Sequence, residues 1–184
     1  MDFEIKLIEF LQAGRSPFFD MSFQVLSAIG SVLGVVALCI LFLLLKKKLC
    51  FWYLFSYGFV FLTVNIMKNC IQRVRPFNAT DTITNIGDVV TGYSMPSGHA
   101  ACATAIAIFM AYFLFQYFTK KSTRVGIVVA CSLYVGLVCL SRMYLGKHYL
   151  TDLLAGIAVS ATICALGLVL MHFAQKGRKK KLWE

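Results

Sequence analysis

The sequence predicts an all-α, integral-membrane bundle of about five transmembrane helices preceded by a short interfacial helix. Hydrophobic residues make up 59% of its 184 positions. Mean hydropathy is +0.76, above the ordinary soluble range. The apolar residues gather into runs at 22–45, 49–67, 98–119, 125–145 and 149–172. Each is close to the ~20 residues that carry a helix across ~30 Å of hydrocarbon. The runs lack the alternation of transmembrane strands, and lipid offers no partner to an open backbone, so helices follow.

One membrane-embedded domain, 1–184, is expected, with an N-terminal amphipathic segment (1–21), a helical bundle (22–174) and a basic tail (175–184). The opening Met1-Asp2-Phe3-Glu4 lacks the basic stretch of a cleavable leader. Phe3, Leu7, Ile8, Phe10 and Leu11 can share one helical face, with Glu4, Lys6 and Glu9 elsewhere. Residues 3–13 therefore read as a short helix lying on the membrane, the alternative being a helix tucked against the bundle. Gly30 and Gly34 in the first span form a small-xxx-small pair, a mark of close helix packing. The seven cysteines lie in or near the spans without a Cys-x-x-Cys, and read as packing residues rather than a disulfide framework or zinc site.

The net charge of +10 raises the question of nucleic acid. Its placement answers no. Lys46-Lys47-Lys48, Lys120-Lys121 with Arg124, and Lys176 with Arg178 to Lys181 all flank spans. Under the positive-inside rule these segments are cytoplasmic, so five spans leave the N-terminus outside and the tail inside, near anionic headgroups. A multi-pass protein of the cell membrane is expected.

Charges at bilayer depth are costly, so those that remain point to function. Lys68-Asn69-Cys70-Ile71-Gln72-Arg73-Val74-Arg75-Pro76 closes the second span. Lys68, Gln72 and Arg75 fall on one helical face, with Arg73 pointing elsewhere. Tyr93-Ser94-Met95-Pro96-Ser97-Gly98-His99-Ala100 opens the third span. Ser97 is placed to cap that helix, leaving the amides of Gly98, His99 and Ala100 and the helix dipole facing an anion. Ser141-Arg142 through His148 and Asp152 joins the fourth span to the fifth, with His148 and Asp152 four apart on one face. A carboxylate on one ring nitrogen fixes the tautomer and frees the other nitrogen. Singly, each cluster also fits a bland role: snorkelling cations, a capped helix, a structural His–Asp pair. Crossing parity places all three at one membrane face, the outer one by the charge rule.

Together the clusters read Lys68…Arg75-Pro76, Pro96-Ser97-Gly98-His99 and Ser141-Arg142…His148…Asp152. In order and spacing they resemble the three-part signature of the type-2 phosphatidic acid phosphatase superfamily, with every defining position present. The resemblance covers roughly 60–155 by motif. It implies His148 as nucleophile forming a phosphohistidine, Asp152 orienting it, and His99 protonating the leaving group and later helping to activate water. It also implies that Lys68, Arg75, Arg142, Ser97 and the Gly98 amide hold the phosphate, without a metal or other cofactor. Cations near His148 would lower its pKa and Asp152 would raise it, and the spacing leaves the balance open.

The expected partners are the bilayer and a lipid phosphate: phosphatidic acid, phosphatidylglycerophosphate or undecaprenyl pyrophosphate, with the 76–96 loop as the lid that selects. A lipid phosphotransferase of the same family is the near alternative. An anion-selective transporter is the distant one, and it would need polar residues through the whole bundle.

Overall fold

The computed structural model of the protein describes residues 2–180. Among these described residues eight helices follow one another: α1 (Asp2–Ala13), α2 (Pro17–Ile29), α3 (Val32–Leu45), α4 (Lys47–Ile71), α5 (Pro76–Ala79), α6 (Gly98–Phe115), α7 (Lys121–Tyr144) and α8 (Leu150–Lys180). Four are long and apolar enough to cross a membrane, and five spans result when α2 and α3, bent by 44°, count as one. The side chains of the expected tail from Gly177 onward, and residues 181–184 altogether, lie outside the described residues.

The first span differs from the continuous 22–45 run. Ser16 caps α2 through a bond from Phe19 N, and Pro17 fills its first position. The helix then breaks at Gly30-Ser31. The Ser31 hydroxyl donates to Ala28 O at 2.5 Å and accepts from Leu33 N at 3.3 Å, so it ends one helix and starts the next. The two glycines do mark close packing. A Cβ on Gly30 would lie 2.4 Å from a Val138 methyl of α7, and one on Gly34 would lie 2.1 Å from Ile29 O inside the elbow.

Helix α6 is the innermost element, touching α3, α4, α7 and α8. Its buried alanines at 100, 101, 103, 105 and 107 let those neighbours approach. Farther along, Phe42, Tyr53 and Phe109, all fully buried, fill the bundle. Their ring centroids stand 5.8 Å (Phe42–Tyr53) and 5.3 Å (Tyr53–Phe109) apart in edge-to-face contacts. Outward-facing Leu44, Leu62, Leu133 and Leu170 form the lipid-facing exterior.

Helix α1 packs against the bundle along one face, as the second of the two sequence readings expects. Ile8 is fully buried against Ile83, Met143, Tyr149 and Leu153, whereas Phe3 and Phe10 are exposed. The Gln12 amide reaches between two elements, donating to Thr84 O and Tyr144 O and accepting from Thr84 N.

Candidate active site

The C-termini of α4 and α7 and the N-termini of α6 and α8 meet at one end of the bundle. Lys47 and Lys121 begin α4 and α7 at the other end. The motif residues are therefore brought together at one surface and the basic runs are kept away from it.

Helix α4 ends before the first motif does. Gln72 adopts φ 52°, and its N–H bonds back to Lys68 O at 3.0 Å. This left-handed cap breaks the single helical face expected for Lys68, Gln72 and Arg75. Arg75 still turns inward, where it is buried, and Gln72 is exposed. Arg73, expected to point elsewhere, faces Asp152, with Nη1 2.7 Å from Oδ1.

His148 and Asp152 are both buried. Their nearest atoms, Nδ1 and Oδ2, are 3.6 Å apart, and the Ser94 hydroxyl sits beside both. It donates its one proton to Asp152 Oδ2. Its lone pairs are what remain for His148 Nδ1, 3.4 Å away, so that nitrogen must carry the ring proton. On the other side of the ring, Arg75 Nη1, a donor only, faces Nε2 at 3.4 Å. Both neighbours demand the same tautomer: Nδ1–H, with the Nε2 lone pair free. Tyr149 N completes the hold on Asp152, donating to Oδ2 at 2.9 Å.

The cations stand around this ring. Arg75 donates to Gly92 O at 2.9 Å and Lys147 O at 3.1 Å, and Lys68 Nζ donates to Tyr93 O at 2.7 Å. Arg142 Nη1 donates to Ser27 Oγ at 2.6 Å, while its buried Nε meets no acceptor among the described residues. A buried guanidinium N–H without an acceptor fits a site waiting for an oxyanion. His99, half-buried in the first turn of α6, feels the charges of Arg142, Arg75 and Lys68 and stands near His148. Ser97 caps α6, its hydroxyl accepting from Ala100 N at 3.4 Å, and its own N–H donates to Asp152 O at 2.9 Å. A Cβ on Gly98 would meet nothing within 4 Å, so the space over this helix start is open.

Burial, the largest cause, pushes the His148 imidazole down to about 3; Asp152 opposes the fall, and the Arg142 and Arg75 charges deepen it. The balance left open by the spacing thus falls toward a neutral ring. Lys147, buried beside it, is brought down to about 8 by burial first and then by Arg142 and Arg75. Its ammonium donates to Asn85 Oδ1 and Asp88 O and lies 5.6 Å from the Phe77 ring. Glu4 is pushed up by partial burial, but hydrogen bonds from Thr151 and Arg73 outweigh this and hold it below the usual carboxylate range.

The motifs did not reveal Ser94, Arg73 or Glu4. Ser94 stood among the residues of the second cluster without a role, and Arg73 was turned inward by a left-handed residue that no glycine announced. Glu4 arrives from a helix far away in sequence. Nothing in the opening set it apart from its charged neighbours Asp2, Lys6 and Glu9.

Residues 49–176 match the family model described as the PAP2 superfamily. Phosphatidylglycerophosphatase B of Bacillus subtilis (strain 168) is 34% identical over 119 residues, which are 64% of this chain and 51% of that protein. The chain thus spans about half the length of that relative. Lipid A 4'-phosphatase of Porphyromonas gingivalis is 29% identical over 189 residues, 96% of this chain and 73% of that protein. Among solved structures, Aquifex aeolicus LpxE superposes with a TM-score of 0.76 at 20% identity, covering 90% of this chain and 94% of its own, a likeness of fold. The match begins at the start of α4 and runs deep into α8, so it takes in all three motifs, and the chain belongs to the PAP2 superfamily.

Proposed function

We propose that this chain is a lipid phosphate phosphatase working through a phosphohistidine on His148. The observation that carries the reading is the locked ring: Ser94 and Arg75 together require the tautomer whose Nε2 lone pair faces a cation. A phosphate drawn to Arg75 arrives next to the atom that attacks it. Nε2 forms a bond to phosphorus as the bond from phosphorus to the lipid oxygen breaks. His99 takes a proton from the incoming phosphate monoanion and passes it to the departing alkoxide. Water then attacks the phosphohistidine and passes a proton to His99, the P–N bond breaks, and inorganic phosphate leaves with His148 neutral again.

Phosphoryl transfer has a loose transition state whose charge spreads over three equatorial oxygens. Positioning and charge stabilisation are then the main work of the protein. Lys68, Arg75 and Arg142 supply the charge, with the Ser97 hydroxyl and Gly98 amide at the helix start. Asp152 holds the nucleophilic ring through Ser94, its own carboxylate standing 3.6 Å from Nδ1.

The position of the cluster at the end of the spans supports a substrate that keeps its tails in the bilayer while its headgroup enters sideways. The names of the relatives favour glycerophospholipid and glycolipid phosphates, with phosphatidylglycerophosphate first, and phosphatidic acid and undecaprenyl pyrophosphate as further members of a test panel. The basic runs at the far end support an extracytoplasmic site and a cytoplasmic C-terminus in the cell membrane. A transporter is disfavoured by the packed rings of Phe42, Tyr53 and Phe109, which fill the far half of the bundle among the described residues.

The test is phosphate release in detergent from that panel, with EDTA present, beside His148→Ala. Release by the parent and loss by the variant are expected. Turnover retained by His148→Ala overturns the mechanism. Phosphate appearing on an acceptor lipid rather than in water marks a phosphotransferase.

A further inference from the structure

Behind the reacting face, a second layer of charge runs out to the N-terminal helix. Arg73 is its centre. Nη1 donates to Asp152 Oδ1 at 2.7 Å and to Thr151 Oγ1 at 2.6 Å, and Nη2 donates to Glu4 Oε2 at 2.8 Å. Its guanidinium lies 4.0 Å from the Tyr149 ring centroid. The other oxygen of Glu4 accepts from Thr151 N and Thr151 Oγ1, each at 2.8 Å. Thr151 lies in the first turn of α8, so Glu4 also caps the helix that carries Asp152. Glu4 lies outside the 49–176 segment that defines the family.

An arginine fork has a fixed plane and cannot follow a drifting partner. With both terminal nitrogens and its flat face engaged, Arg73 has one position, and Asp152 takes its own from it. The signs alternate, Glu4 negative, Arg73 positive, Asp152 negative. Glu4 thereby draws part of the arginine's charge away from Asp152 and leaves that carboxylate free to hold Ser94 and the His148 ring.

We propose that Glu4 and Arg73 are positioning residues for the His148 nucleophile, so that α1 completes the active site. This rests on the phosphatase reading above and adds a part to it. Without Glu4 the fork can rotate, Asp152 and Ser94 loosen, and the His148 proton redistributes between its two nitrogens. Groups aligned within tenths of an ångström commonly lose 10- to 100-fold when a supporting partner is removed.

Two readouts separate the proposal from the reading beneath it. Phosphate release by Glu4→Gln is expected to show kcat reduced roughly tenfold with KM within about twofold. In an Asp152→Asn background the same change should cost almost nothing, since both act through one carboxylate. The second readout needs no turnover. With only three histidines in the chain, 15N-histidine labelling resolves the His148 ring. The parent should show one tautomer, Nδ1–H, and Glu4→Gln a mixture. Arg73→Lys keeps the charge but loses the fork, and should behave like Glu4→Gln if that variant does not survive extraction. An unchanged tautomer with unchanged kcat overturns the proposal. So does an equal cost of Glu4→Gln with and without Asp152. A parent that releases no phosphate but changes tautomer on Glu4→Gln rejects the phosphatase reading and keeps the positioning.

Discussion

Arg73 Nη1 lies 2.7 Å from Asp152 Oδ1, so the carboxylate beside the His148 ring is itself held by a guanidinium. Asp152 takes bonds from Arg73 on one oxygen and from Ser94 and Tyr149 N on the other. Every one of these partners is a donor. Asp152→Asn would turn an NH2 group toward one set of donors or the other, whichever way the amide sits. The expected result is kcat down roughly 100-fold or more, with KM little changed. Steady-state phosphate release from phosphatidylglycerophosphate in detergent measures it. A variant within about threefold of the parent would remove Asp152 from the mechanism.

The His148 ring gives a prediction in pH. With an ordinary pKa near 6.5, only about 3% of the ring would be neutral at pH 5. Held down to about 3, nearly all of it stays neutral there. The 15N shifts of this ring should therefore show no titration between pH 8 and 5. The same depression bears on stability. Below pH 6.5 the unfolded ring takes up a proton that the folded ring refuses, so this contribution is whole above 6.5 and is lost as pH falls toward about 3. The thermal midpoint in detergent should fall on acidification across that window, and less steeply in His148→Gln.

Much of this arrangement could be read from residue spacing. The apolar runs marked the spans, and crossing parity brought Lys68, Arg75, His99, Arg142, His148 and Asp152 to one end because helices of similar length alternate in direction. What escaped depended on local backbone choices that side-chain pattern does not encode. Gln72 in a left-handed cap reversed the fates of Gln72 and Arg73. The Ser31 hydroxyl bent a span whose hydropathy is unbroken. Glu4 was indistinguishable from any acidic residue on an interfacial helix, since its partners are 69 and 147 positions away.

Gly156 tests how tightly α8 must sit on the start of α6. A Cβ there would lie 2.4 Å from Ser97 O and 3.3 Å from the Ala100 methyl. Backbone cannot swing aside as a long side chain would. Ser97 N is bonded to Asp152 O, so the displacement reaches the site. Gly156→Ala should cost about 1–3 kcal/mol of stability and lower kcat as well. Gly126→Ala and Gly136→Ala are matched controls, for a Cβ at either meets nothing within 4 Å. Both should be neutral or stabilising by up to about 1 kcal/mol. Thermal unfolding in one detergent, with activity on the same samples, distinguishes the three.

Two of the cations that would hold phosphate, Lys68 and Arg75, are occupied here by one loop, which Lys147 also holds. Lys68 donates to Tyr93 O, Arg75 to Gly92 O, and Lys147 to Asp88 O and Asn85 Oδ1. Gly87 and Gly92, at φ 75° and 79°, let the backbone turn those carbonyls inward. Phosphate oxygens and loop carbonyls therefore compete for the same donors, and an oxyanion, carrying full charge, should win. Vanadate at saturation should release the loop, and chymotrypsin should cut after Tyr93 several-fold faster than in its absence. Lys147→Met should speed the cut even without vanadate, because the loop then loses two of its bonds. Slower cleavage with vanadate would mean that the loop folds down over the bound anion instead of yielding to it.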